Sequence, residues 1–179
     1  MYKRQILFTF YSRNIYTEEE SVPIVFDNTS KIVNVDGYTF NLGLWDTSGV
    51  EDLERRRPLD YPQTDIFFLC YYTHLPNSIT NAYNVWFPEI KFHCPEALIV
   101  VLGMIGPERK ISREEGEQLK IKTYAARFLE CNLQVQEDVD NVFYEAIRAL
   151  VFPKPKQSKN LFKKFFRISD KVFFWCKSR

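Results

Sequence analysis

Phe40 to Asp65 reads FNLGLWDTSGVEDLERRRPLDYPQTD, and the way it begins decides the fold. Phe40, Leu42 and Leu44 recur with period two, and the run ends at an acid, Asp46, followed by Thr47-Ser48-Gly49. Such alternation marks a strand with one buried face. A strand that delivers a carboxylate at its carboxyl end, then a glycine, is how an open α/β sheet presents a site for Mg²⁺ and phosphate. The carboxylate holds the metal, and the glycine admits a backbone N–H where a Cβ would intrude. By itself D-T-x-G is a common strand exit, so its weight comes from the chain around it.

Working outward, Lys31 to Trp45 predicts a hairpin turning at Asp36-Gly37, the dipeptide that suits a two-residue turn. Ile66 to Tyr72 (IFFLCYY) and Ala97 to Gly103 (ALIVVLG) are continuous apolar runs, as expected of strands covered on both faces. Between them, Pro76 and Asn77 open a helix to about Phe92, with Ile79, Tyr83, Trp86 and Ile90 as its core stripe. Ser112-Arg113-Glu114-Glu115 spells a capping box for a helix to about Ala126, Arg127 to Cys131 a last strand, and Glu137 to Val151 a final amphipathic helix. Strands alternating with helices give an α/β fold with a mostly parallel sheet and one antiparallel hairpin. His74 and His93 read as surface or capping residues.

One domain is the natural count for 179 residues, and 45% hydrophobic with 16% aromatic content is enough for a packed core. The net charge of +1 conceals an asymmetry: from Lys154 onward nine Lys/Arg face one acid, Asp170. That basic end points to an anionic surface. Cys70, Cys94, Cys131 and Cys176 show no metal-like spacing and fit reduced thiols. No apolar run approaches the roughly 18 residues of a spanning helix.

LWDTSG, RPLDYPQTDIFFLCY and WFPEIKFHCPEALIVVLG together resemble the Rho family of small GTPases, nearest to its Rac-like members. VPIVFDNTSKIVNVDGYTFNLGLWD is similar to that family's first switch and hairpin, and ARFLEC and VFYEAIRAL to its last strand and helix. The resemblance runs from about Ile6 to Pro155. It implies a three-layer small-GTPase (P-loop NTPase-like) fold that binds GTP or GDP with Mg²⁺ at Asp46, Thr47 and Gly49. It also implies protein effectors and regulators meeting Phe26, Asp27, Asn28 and a second switch containing Arg55, Arg56 and Leu59.

Against the family pattern, the first strand and the G-x-x-x-x-G-K-[ST] phosphate loop do not occur, and Ile6 to Tyr16 looks like the helix that follows them. Met1 to Gln5 (MYKRQ) reads as a non-native, adapter-encoded leader, the alternative being an ordinary basic N-terminus. The expectation is a sheet lacking a central strand, its neighbours unpaired and its core open. Ile24 stands where a threonine clamps Mg²⁺, and Val50 where a glutamine orients the attacking water. Met104-Ile105-Gly106-Pro107 replaces the [TN]-K-x-D motif whose Asp reads guanine, and Asn132-Leu133-Gln134 replaces the second guanine-contacting loop. Gly106 to Ser112 is too short for the insert helix typical of Rho proteins.

The tail, Lys156 to Arg179, mixes Phe162, Phe165, Phe166 and Trp175 with Lys163, Lys164 and Arg167. This composition predicts a basic amphipathic helix lying on a membrane; packing of that helix back on the domain is the alternative. Cys176-Lys177-Ser178-Arg179 lacks the aliphatic positions of a prenylated box, leaving Cys176 as a palmitoylation candidate. No nucleic acid partner is expected. The sequence thus predicts a Rho-like, hydrolysis-deficient signalling protein at the cytoplasmic face of a membrane. The alternative is a conventional GTP switch whose phosphate loop lies upstream.

Overall fold

The computed structural model describes residues 6–7, 9–10, 29–46, 61–152 and 171–175. A six-stranded sheet lies at its centre, in the order β1-β2-β6-β3-β4-β5. β1 (Thr29–Val35) and β2 (Tyr38–Asp46) form the antiparallel hairpin; Asp36 and Gly37 both take positive φ, 53° and 84°, as the two-residue turn requires. β3 (Ile66–Tyr72), β4 (Leu98–Met104) and β5 (Arg127–Cys131) are parallel, with Tyr72, Met104 and Cys131 level at their carboxyl ends.

All seven residues of β3 are buried, because helices cover both faces. Ile66, Phe68, Cys70 and Tyr72 join one core, and Phe67, Leu69 and Tyr71 the other. The first core is closed by the helical residues Ile6, Leu7 and Phe10 and by α4 (Gln136–Val151), with Phe10 and Phe143 stacked at 3.6 Å between centroids. Lys31 of β1 caps the Phe10 carbonyl with its ammonium and lies over the Phe10 ring. Arg148 of α4 holds the hairpin turn through both carboxylate oxygens of Asp36, at 2.8 and 2.7 Å.

The second core lies under α1 (Pro76–Asn81), a π-helical turn (Ala82–Trp86) and α2 (Phe87–His93), which run as one rod, and under α3 (Arg113–Lys122). The expected stripe through this rod is corrected. Ser78, Ala82, Trp86 and Ile90 are the buried row, while Tyr83 is 39% exposed. A π turn carries an extra residue per turn, so the buried spacing becomes four and Tyr83 rotates outward. α3 ends at Lys122, short of Ala126, and Tyr124 follows with φ 54°.

The main correction concerns the tail. Lys171–Trp175 is not a helix: it forms β6, parallel to β2 on one side and to β3 on the other. Val172, Phe173, Phe174 and Trp175 are residue types that suit a strand, and the sheet between β2 and β3 offers backbone groups that only a strand satisfies. Arg127–Cys131 is therefore not the last strand. The predicted open core is also corrected, because β6 fills that position. Phe162, Lys163, Lys164, Phe165, Phe166, Arg167 and Cys176 lie outside the described residues, as do residues 1–5.

Candidate functional site

β2, β6, β3, β4 and β5 all run the same way, so their carboxyl ends share one rim of the sheet. Ligands of open α/β sheets bind outside that rim. Asp46 closes β2, as the opening stretch predicts. Its register partner is Phe174, which in turn pairs with Phe68. Asp46 is therefore set back from Tyr72 by roughly 13 Å along the strands, at ~3.3 Å per residue. Thr47, Gly49, Val50 and the switch residues Ile24, Phe26, Asp27, Asn28, Arg55, Arg56 and Leu59 lie outside the described residues.

Tyr61 and Asp65, from the end of the opening stretch, bring the chain to the foot of β3. Tyr61 is fully buried, sits edge-on to Phe67, and donates its hydroxyl to Glu89 of α2 at 2.8 Å. The Thr64 hydroxyl and the Cys94 thiol both donate to the Tyr61 carbonyl, at 2.6 and 3.3 Å.

The loops at 104–107 and 132–134, where the resemblance expects base recognition, leave the adjacent strands β4 and β5. Ile105 N–H donates to the Cys131 carbonyl at 2.9 Å, joining the loop after β4 to the end of β5. Gly106 N–H donates to Thr73 Oγ1 at 3.0 Å, and the Thr73 carbonyl accepts from Lys110 and Ile111 at 2.7 and 2.9 Å. His74 packs against Gly106, leaving no room there for a Cβ. Of the two histidines read as surface or capping residues, His74 is half-buried and tilted against Tyr72 at 5.8 Å, whereas His93 is exposed. After β5, Asn132 N–H donates to Asp138 at 3.0 Å, and Asn132 Oδ1 accepts from Gln134 N–H at 3.0 Å, an Asx turn.

Sequence reasoning missed Thr73 and Asp138, which organise these two loops. The signal for Asp138 was its place in the first turn of α4, where an acid complements the helix dipole and caps free N–H groups. It also missed the charged cluster beside β5. Glu130, its side chain 9% exposed, accepts from Arg109 at 2.7 Å and from Arg113 at 3.0 Å. Burial pushes the Cys131 thiol up to about 12, with the Asp138 charge adding to it. Cys70, Cys94 and Cys131 are free thiols, the first and last of them buried.

A small concavity of about 360 Å³ lies between the rod and α3, lined by Ile79, Tyr83, Glu115, Leu119 and Lys122 among others. It gathers no set of convergent acids or bases. Among the described residues no group of three or more His, Cys, Asp or Glu is placed to hold a metal, and no helix is long and apolar enough to cross a membrane.

A mostly parallel α/β sheet with an antiparallel hairpin and a rim of loops at its carboxyl edge is the architecture of open-sheet domains that bind ligands at that edge. The family model described as Ras family matches residues 3–152. The chain belongs to the Ras family of small GTPases, proteins that bind GTP or GDP with Mg²⁺ and engage protein effectors and regulators. The described rim does not fit the guanine base in the way that family reads it. Residues 104–107 carry no carboxylate, and Met104 is 2% exposed.

Proposed function

We propose that this chain is a Rho-like member of the Ras family that binds partners without cycling GTP, a pseudo-GTPase. Partners would dock on Phe26, Asp27, Asn28 and on the second switch around Arg55, Arg56 and Leu59. The basic aromatic tail around Phe162, Lys163, Lys164, Phe165, Phe166 and Arg167 would hold it to the cytoplasmic face of a membrane, with Cys176 as an acylation point.

The observation that supports this most is the state of the base-recognition rim. A guanine-reading site needs a free acceptor pair, and losing a buried charged acceptor removes several kcal/mol of discrimination. Here residues 104–107 offer no carboxylate, and Asn132 Oδ1, the side-chain acceptor after β5, is taken by Gln134 N–H. Val50, where a water-orienting amide is needed, and Ile24, where a metal ligand is needed, are consistent with the same loss.

The test is a titration of the folded chain with a fluorescent GTP analogue in Mg²⁺, with an ATP analogue alongside. No saturation by either below ~100 μM, from a protein with a cooperative melt, is the expected result. Micromolar or tighter binding selective for the guanine analogue would refute the reading and return the chain to the ordinary GTP switches.

A further inference from the structure

In the observed strand order no strand of the hairpin pairs with any strand of the three-strand parallel block. Among the described residues β1 pairs only with β2, and β3, β4 and β5 pair among themselves; β6 alone bonds to both groups. Gly43, Leu44, Trp45 and Asp46 face Lys171, Val172, Phe173 and Phe174 across one ladder. Ile66, Phe67, Phe68 and Leu69 face Val172, Phe173, Phe174 and Trp175 across the other. The strand that is central in space is thus the last of the described strands in sequence.

We propose that the C-terminal segment Lys171–Trp175 is the element that assembles the candidate site. β6 fixes the position of β2, which ends in Asp46, relative to β3, β4 and β5, whose loops form the rest of the rim. A parallel ladder sets both the spacing, about 4.8 Å per strand, and the register of its neighbours. Without β6 the hairpin and the block retain the cover of α4 and the Arg148–Asp36 pair, but no strand pairing among the described residues joins them. Each would then present a row of unpaired N–H and C=O groups at an internal edge. Segment and site are therefore coupled: whatever draws residues 171–175 out of the sheet also releases Asp46 from its register.

This rests on reading the carboxyl rim as the site, but its test reads the sheet and not the ligand, so the two can fail separately. Native-state hydrogen exchange on the full chain is the measurement. Amides of 171–175, 43–46 and 66–69 are expected to open as one set, distinct from those joining β4 to β5. In Val172→Pro, which removes a ladder N–H and strains a central strand, exchange over 43–46 and 66–69 is expected to rise by at least ~tenfold, with β4 and β5 changing less than ~twofold. Exchange of 171–175 in the unsubstituted chain at the rate of an unstructured peptide overturns the proposal, whether or not the variant folds. So does a dimeric mass by light scattering whose protection at 171–175 is lost on dilution, since the strand would then come from a second copy.

Discussion

At the scale of single residues, the clearest tension is Tyr71. Its side chain is fully buried, its hydroxyl has no hydrogen-bond partner among the described residues, and it fills the space left by Gly103 and Gly116, where a Cβ would meet it. Burial, reinforced by the Glu130 charge, holds its proton on well above the usual phenol range. A buried unpaired hydroxyl costs on the order of 1–3 kcal/mol, so Tyr71→Phe is expected to stabilise by ~1 kcal/mol. That appears as a rise of about 2–4 °C in Tm for a chain of this size; a fall in Tm would mean the hydroxyl has a partner. Cys131 supplies a pH dependence. Its folded pKa of about 12 lies above the ordinary value of 9.0, so the folded state keeps a proton that the unfolded chain loses between those limits. Stability from this thiol is intact below pH 9 and falls as pH rises toward 12, by at most roughly 1.4 kcal/mol per pH unit. Denaturant midpoints across pH 8.5 to 11 should fall more steeply for the unsubstituted chain than for Cys131→Ala. Equal slopes would show that the thiol does not carry the effect.

At the scale of elements, what was legible in the sequence was local chemistry. The Asp36-Gly37 turn, the Ser112 box and the ends of β3 and β5 follow from residues a few positions apart, and they appear where the pattern puts them. The capping box has both of its bonds, Glu115 N–H to Ser112 Oγ at 3.3 Å and Ser112 N–H to Glu115 Oε2 at 2.7 Å. It starts a helix that is otherwise weakly amphipathic and carries Arg113 to Glu130, so its loss is felt beyond the first turn. Ser112→Ala is expected to cost about 1 kcal/mol, with faster amide exchange confined to residues 112–116 and the start of α3. No change in Tm would mean that packing of Leu119 and Gly116 alone sets this helix. The π turn at Ala82–Trp86 was not legible, because a helical stripe reads as 3.6-periodic until tertiary packing shows that Ser78, Ala82, Trp86 and Ile90 are the buried set. The half-burial of His74 was hidden for a related reason: its cover, Gly106, is far away in sequence.

At the scale of the whole molecule, the tail could not be placed from the sequence because its composition serves two physical roles. Phe and Trp among lysines suit a helix at a lipid interface, and aromatic and β-branched residues suit a strand as well. The decision belongs to the gap between β2 and β3, a feature of the sheet that no local window contains. The end of β2 at Asp46, by contrast, was legible in the sequence; what was missed was how the loops at 104–107 and 132–134 are bonded, to Thr73 and to Asp138. The two roles of the tail exclude each other at 171–175, which cannot lie in the sheet and on a bilayer at once. A docked strand leaves the remaining basic residues to electrostatic attraction alone, worth ~1 kcal/mol per Lys or Arg near an anionic surface and screened within a Debye length of about 8 Å. A released strand adds apolar burial at the interface. Vesicles of 30% phosphatidylserine in phosphatidylcholine should therefore bind the unsubstituted chain weakly at 0.15 M salt. They should bind Val172→Pro at least several-fold more tightly, with the difference persisting at 0.5 M salt because it is apolar in origin. Equal binding by the two chains would show that residues 171–175 take no part in membrane contact, and loss of the difference at high salt would assign it to charge alone.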